Sequence, residues 1–142
     1  MSFRLGLLTI VICSAAALAM TSCSMSEDKN IADAAVKLFH TQLGSEQIHE
    51  IYSGTSDEFK KASTEAQFTE FLSAVKRKLG SVKSSTPMGW RVNYVPMGTI
   101  VNLEYQTEFD DGPATESFSW RIKGKHAELM GYNINSAALI TK

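Results

Sequence analysis

Residues 90–109 read WRVNYVPMGTIVNLEYQTEF. Trp90, Val92 and Tyr94 alternate with Arg91, Asn93 and Val95, while Val101, Leu103, Tyr105, Thr107 and Phe109 alternate with Asn102, Glu104, Gln106 and Glu108. A period of two places each set on one face of a strand, so the stretch reads as two strands joined at Met97-Gly98. Further on, Phe118, Trp120 and Ile122 mark a third strand and Ala127 to Ile134 a fourth, with turn residues at Asp111-Gly112-Pro113 and Gly124-Lys125. Before Ser81 the period is helical. Ile31, Ala34, Ala35, Leu38, Phe39 and Leu43 form one apolar face, and Gly44 supplies a stop. Ile48, Ile51 and Tyr52 suggest a short helix, and Ser56 to Phe59 opens another turn. A long helix follows, with capping-box residues Thr64 and Gln67, a face of Phe68, Phe71, Leu72, Val75 and Leu79, and a stop at Gly80. Helices followed by a meander predict an α+β domain, its N-terminal helices packed on one face of a curved four-stranded antiparallel sheet.

Parity makes the sheet prediction sharper, because a one-residue slip exchanges the faces of a strand. A turn at Met97-Gly98 sets Tyr94 beside Val101, Val92 beside Leu103 and Trp90 beside Tyr105, with Arg91 opposite Glu104. Pro113 lacks the N–H that a tight Asp111-Gly112 turn would use, which favours a four-residue loop from Asp111 to Ala114 and puts Arg121 opposite Glu104 as well. Glu128 then faces Arg121. This register turns Met130, Tyr132 and Ile134 outward, an apolar strip that would suit an envelope partner or self-association. A bulge at Gly131 would instead return Tyr132 and Ile134 to the core.

The amino terminus is organised differently. Met1 to Arg4 carries one positive charge, Leu5 to Ala19 is apolar, and Met20-Thr21-Ser22-Cys23 resembles the lipobox of bacterial lipoproteins. The other cysteine, Cys13, follows bulky Ile12 and does not suit the peptidase. The expected organisation is a signal peptide over 1–22, a lipidated tether over 23–28, the α+β domain over 29–135 and a C-terminal tail over 136–142. The resemblance implies diacylglycerol on Cys23, a durable membrane anchor once two or more chains are attached. Ser24 stands where lipoproteins kept in the inner membrane often carry Asp, so the expected address is the cell envelope, on the outer membrane facing the periplasm.

Phe68 to Gly80, then Trp90, Tyr94, Gly98, Leu103-Glu104-Tyr105, Phe109, Glu116 and Gly131-Tyr132-Asn133-Ile134, resemble the bacterial domain-of-unknown-function family numbered four thousand and nineteen. The order of elements is also similar to cystatin-like and nuclear-transport-factor-like α+β folds. Such folds host enzymes, carriers and assembly modules alike, so the resemblance implies an architecture rather than a reaction.

The chemistry-bearing residues point the same way. With 13 basic and 15 acidic side chains after residue 22, the chain shows no electrostatic footprint for nucleic acid. His49-Glu50 begins like a zinc-protease motif, but Ser53 occupies the second ligand position. His40, His49 and His126 fall on separate elements, Asp110 and Asp111 read as turn residues, and Lys76-Arg77-Lys78 reads as a cationic helix end. No metal, cofactor or catalytic group is expected. The expected function is a noncatalytic lipoprotein that acts as an accessory or binding module at the membrane. A small-ligand carrier, its interior lined by Trp90, Tyr94, Tyr105, Phe118 and Trp120, is the alternative, and an enzyme using His40 with Tyr52 or Glu50 is a third reading.

Overall fold

The computed structural model describes residues 6–141, with side chains from Ser24 onward. Of the expected signal peptide, residues 1–5 and the side chains of 6–22 lie outside what is described, as does the lipid-bearing side chain of Cys23. Five helices and four strands follow in the order α1 (Gly6–Gly44), α2 (Ile48–Ser53), α3 (Asp57–Ala62), α4 (Glu65–Leu79), β1 (Val82–Val95), β2 (Gly98–Phe109), β3 (Gly112–Lys123), β4 (His126–Asn135) and α5 (Ala137–Thr141). The strands form one antiparallel sheet in sequential order. Among the described residues no helix is long and apolar enough to cross a membrane. Residues 24–28, expected as a tether, continue α1 as helix. No Gly or Pro lies between Ser24 and Leu43 to interrupt it.

The core forms where α1 and α4 lie on the sheet. On α1 the buried stripe is Ala32, Val36, Phe39 and Leu43, rotated from the face read in the sequence, so that Leu38 is 56% exposed. From α4 come Phe68, Leu72, Val75 and Leu79; the sheet answers with Val101, Leu103, Phe109, Phe118, Trp120 and Ile122. Thr64 accepts from the Gln67 backbone N–H and the Gln67 side chain accepts from that of Thr64, the reciprocal cap expected of α4. At its other end Lys76 donates to the Gly44 carbonyl and Lys78 to that of Leu139, so the basic run serves helix ends.

Strand parity is as read, but two hairpin registers have slid. Val95 pairs with Gly98 and Phe109 with Gly112, leaving Pro96-Met97 and Asp110-Asp111 as the two-residue turns. None of those four residues has positive φ, whereas Gly98 (φ 129) and Gly112 (φ 140) do. Glycine thus closes each turn from its fourth position instead of sitting inside it. Trp90 consequently pairs with Leu103, Arg91 with Asn102 and Arg121 with Ile100, so Glu104 lies opposite neither arginine. Arg121 does pair with Glu128.

The outward strip of Met130, Tyr132 and Ile134 is corrected. Trp120 pairs with Leu129 but Ser119 with Gly131, which leaves Met130 as an extra residue in a bulge. That insertion flips the rest of β4. Ile134 is buried, Met130 and Tyr132 are half-buried, and the Tyr132 ring packs on Phe39 and Phe118 with centroids 4.7 and 5.0 Å away. The free edge of β4 is covered by chain preceding α3: Ser56 N–H donates to the Leu129 carbonyl and Leu129 N–H to that of Gly54.

Candidate functional site

Glu116 shares the inward parity of Ala114, Phe118 and Trp120, and it is fully buried. Three donors surround its carboxylate. Thr107 Oγ1 donates to Oε2 at 2.5 Å, Tyr132 OH donates to Oε1 at 2.7 Å, and His40 Nε2 lies 2.7 Å from Oε2. Burial by itself would raise the carboxyl, but the hydrogen bond and charge of His40, with Thr107 and Tyr132, outweigh it and hold Glu116 below the usual range. An ionised carboxylate only accepts, so Nε2 carries the proton of the His40 contact. The same burial and the facing carboxylate push the Tyr132 hydroxyl well up. Thr107 has spent its proton on Glu116, so Ser85 donates to Thr107, at 3.0 Å. With Asp33 accepting from Tyr105 OH at 2.5 Å, α1 is pinned by polar contacts to both β2 and β3. Glu116 is thus a saturated internal tie.

A different surface offers room. A groove of about 410 Å³ runs between α1 and the β3–β4 end of the sheet, walled by Ile31, Ala34, Leu38, Ile51 and Leu129, with Trp120 as floor and Lys125 and His126 at the lip. Trp120 is 5% exposed, and its indole N–H has no hydrogen-bond partner. Leaving a buried donor unpaired costs about 1–3 kcal/mol, and the groove lining beside it also includes Gln42 and Glu50. The apolar residues of α1 left over from the core stripe are those that form this wall.

The family model described as Protein of unknown function (DUF4019) matches residues 34–132. The chain belongs to this family. No curated protein matches it. The DUF4019 match begins within the groove wall at Ala34, ends at Tyr132, and takes in His40, Thr107, Glu116 and Trp120.

The residues singled out by sequence separate accordingly. Among Trp90, Tyr94, Tyr105, Phe118 and Trp120, expected to line one interior, Trp120 alone borders the groove. Tyr105 and Phe118 fill the core, while Trp90 and Tyr94 are 51% and 55% exposed. His40 meets neither Tyr52, whose hydroxyl donates to the Ser63 carbonyl at 3.0 Å, nor Glu50, which stands at the groove. Its partner Glu116 was legible as an inward acid from the parity of Phe118 and Trp120, but not as the mate of His40. Among the described residues no group of three His, Cys, Asp or Glu side chains is placed to hold a metal ion.

On the other face of the sheet Arg121, 4% exposed, donates from both terminal nitrogens to Glu58 at 3.0 Å and from Nε and Nη2 to Glu128 at 2.9 and 2.8 Å. These bonds hold Glu58 down to about 2 and Glu128 below its ordinary value. Folded values below the unfolded value of 4.5 mean that this stabilisation is complete above that pH and is lost as pH falls toward about 2. Thermal unfolding should therefore lose midpoint as pH falls below about 5, and Arg121→Met should lessen that loss. A wild-type midpoint constant from neutral pH to pH 3, followed by calorimetry, would contradict it.

Proposed function

We propose that the domain is a noncatalytic binding module, held on the envelope membrane by lipid on Cys23, that takes an amphiphile with an apolar body and a hydrogen-bond-accepting anionic head into the groove beneath α1. The observation that carries this reading is the groove itself, whose apolar α1 wall lies over Trp120, a side chain with a buried and unpaired indole N–H, and whose lining includes Lys125 and His126 together with Glu50. An apolar concavity with a few convergent polar groups is the usual form of a small-ligand site. Ser24 after the anchor fits the periplasmic face of an outer membrane.

Octanoate is a suitable probe. Trp90 and Trp120 are the two tryptophans, so a Trp90→Phe protein in nanodiscs reports Trp120 alone. Octanoate should shift its emission saturably, and a further Ala34→Phe change, which fills the groove from an exposed position, should abolish the saturable part while leaving partitioning into lipid unchanged. An identical titration in both proteins would remove the groove from the proposal. The anchor has its own test: Cys23→Ala should abolish labelling by a metabolically incorporated fatty acid and leave unprocessed precursor, and efficient labelling would overturn it.

A further inference from the structure

Five of the eight large hydrophobic side chains exposed among the described residues lie between 88 and 97: Met88, Trp90, Tyr94, Val95 and Met97. Trp90 and Tyr94 share the inward face of β1 and stay about half exposed beside α1; Met88 stands in a bulge, and Val95 and Met97 form the hairpin tip. Along this segment the charge is of one sign, although the paired strand sets Glu104 opposite Gly89 and Glu108 opposite Ser84. From Ser81 to Leu103 the chain holds Lys83 and Arg91 and no acid, although it has 15 acids in all.

The course of α1 relates this patch to the amino terminus. Asp33 of α1 binds Tyr105 on β2, and His40, seven residues later, binds Glu116 on β3. Seven residues advance a helix by about 10 Å, and neighbouring strands lie about 4.8 Å apart. The helix therefore crosses the strands, touching all four, and traced back from Asp33 it leads over β1. Cys23 lies ten residues further back, about 15 Å along the axis, on the side of β1.

We propose that the exposed face and tip of β1 rest on a phospholipid surface, in the leaflet that carries the anchor. This inference rests on the Cys23 anchor but not on the groove. Trp and Tyr favour the boundary between headgroups and acyl chains, and Met and Val fill in beside them. Lys83 and Arg91 offer cationic groups to headgroup phosphates, beside Glu108 and Glu104 of the neighbouring strand. The unpaired main-chain groups on the free edge of β1 set the depth: they need water or headgroups and exclude immersion in hydrocarbon.

The test uses the lipidated full protein in vesicles of phosphatidylethanolamine and phosphatidylglycerol with brominated acyl chains. Trp120 is buried and supplies a constant background, so quenching reads Trp90. The expected result is flotation with the vesicles and loss of most of the Trp90 emission, with no such loss in Trp90→Phe. Flotation with wild-type emission the same in brominated and unbrominated vesicles overturns the lipid contact while leaving the anchor intact. Failure to float overturns the anchor and this inference together. Unquenched Trp90 in a protein that is dimeric in detergent, and monomeric once Trp90 and Tyr94 are changed to Ser, would assign the patch to a second copy and likewise overturn it.

Discussion

Glu116→Ala is expected to lower the stability of the domain by about 3–5 kcal/mol, the cost of removing one side of a buried polar pair. The alanine would leave the Thr107 hydroxyl, the Tyr132 hydroxyl and the His40 N–H facing a site with no acceptor, where Glu116 now satisfies all three. A domain with a total stability of about 5–15 kcal/mol would lose a large part of it. Thr107→Val removes a single donor and leaves the carboxylate with two, so a smaller loss of about 1–2 kcal/mol is expected. Chemical denaturation of both variants checks the order. A loss below about 1 kcal/mol for Glu116→Ala would show that the Glu116 contacts do not hold α1 to the sheet.

The second large effect is expected at Gly80, where α4 turns into β1. Its backbone angles, φ 80 and ψ −148, belong to a region that L side chains scarcely enter. A Cβ there would lie 2.7 Å from the Asp110 Cβ and 2.8 Å from its Oδ2. Asp110 cannot withdraw without cost, since Oδ2 accepts the Ser81 N–H at 2.7 Å and its own N–H donates to the Ser81 carbonyl at 2.9 Å. Gly80→Ala should therefore cost about 2–4 kcal/mol, from backbone strain and a weakened helix-to-hairpin joint together. In an Asp110→Gly background, where the atoms met first are gone, the same change should cost less. Equal costs in the two backgrounds would show that the clash contributes nothing.

These two sites show what a sequence reveals and what it withholds. Thr64, Gln67 and Gly80 announce the limits of α4 through local chemistry, and the alternation of Phe118, Trp120 and Ile122 assigns the inward face of β3. Register is another matter. Alternation is unchanged by any slip of two residues, so it could not tell Trp90 beside Tyr105 from the observed Trp90 beside Leu103. The clue lay in the placement of Pro96, Gly98 and Gly112, which suits turns with glycine fourth. Where the period itself breaks, at Met130, the glycine beside the insertion marked the place, and the bulge buried the strip that the unbroken pattern turned outward. The groove was hidden for a different reason. The apolar face of α1 is wider than its core stripe, and hydropathy does not say which of Ala34, Val36 and Leu38 meets the core. Ion pairs such as Arg121 with Glu58 join positions 63 residues apart and exist only once the fold has brought them together.

On the proposed lipid anchor, the helix that runs unbroken through Ser24–Asp28 acquires a mechanical meaning. A flexible leash would let the body swivel and sample every heading above the bilayer. A stiff rod, clamped to the sheet at Tyr105 and again at Glu116, transmits torque, so that tilting the rod tilts the body with it. A molecule anchored in that way would keep a set bearing on its support, and its diffusion would be a glide in two dimensions with one side always turned the same way.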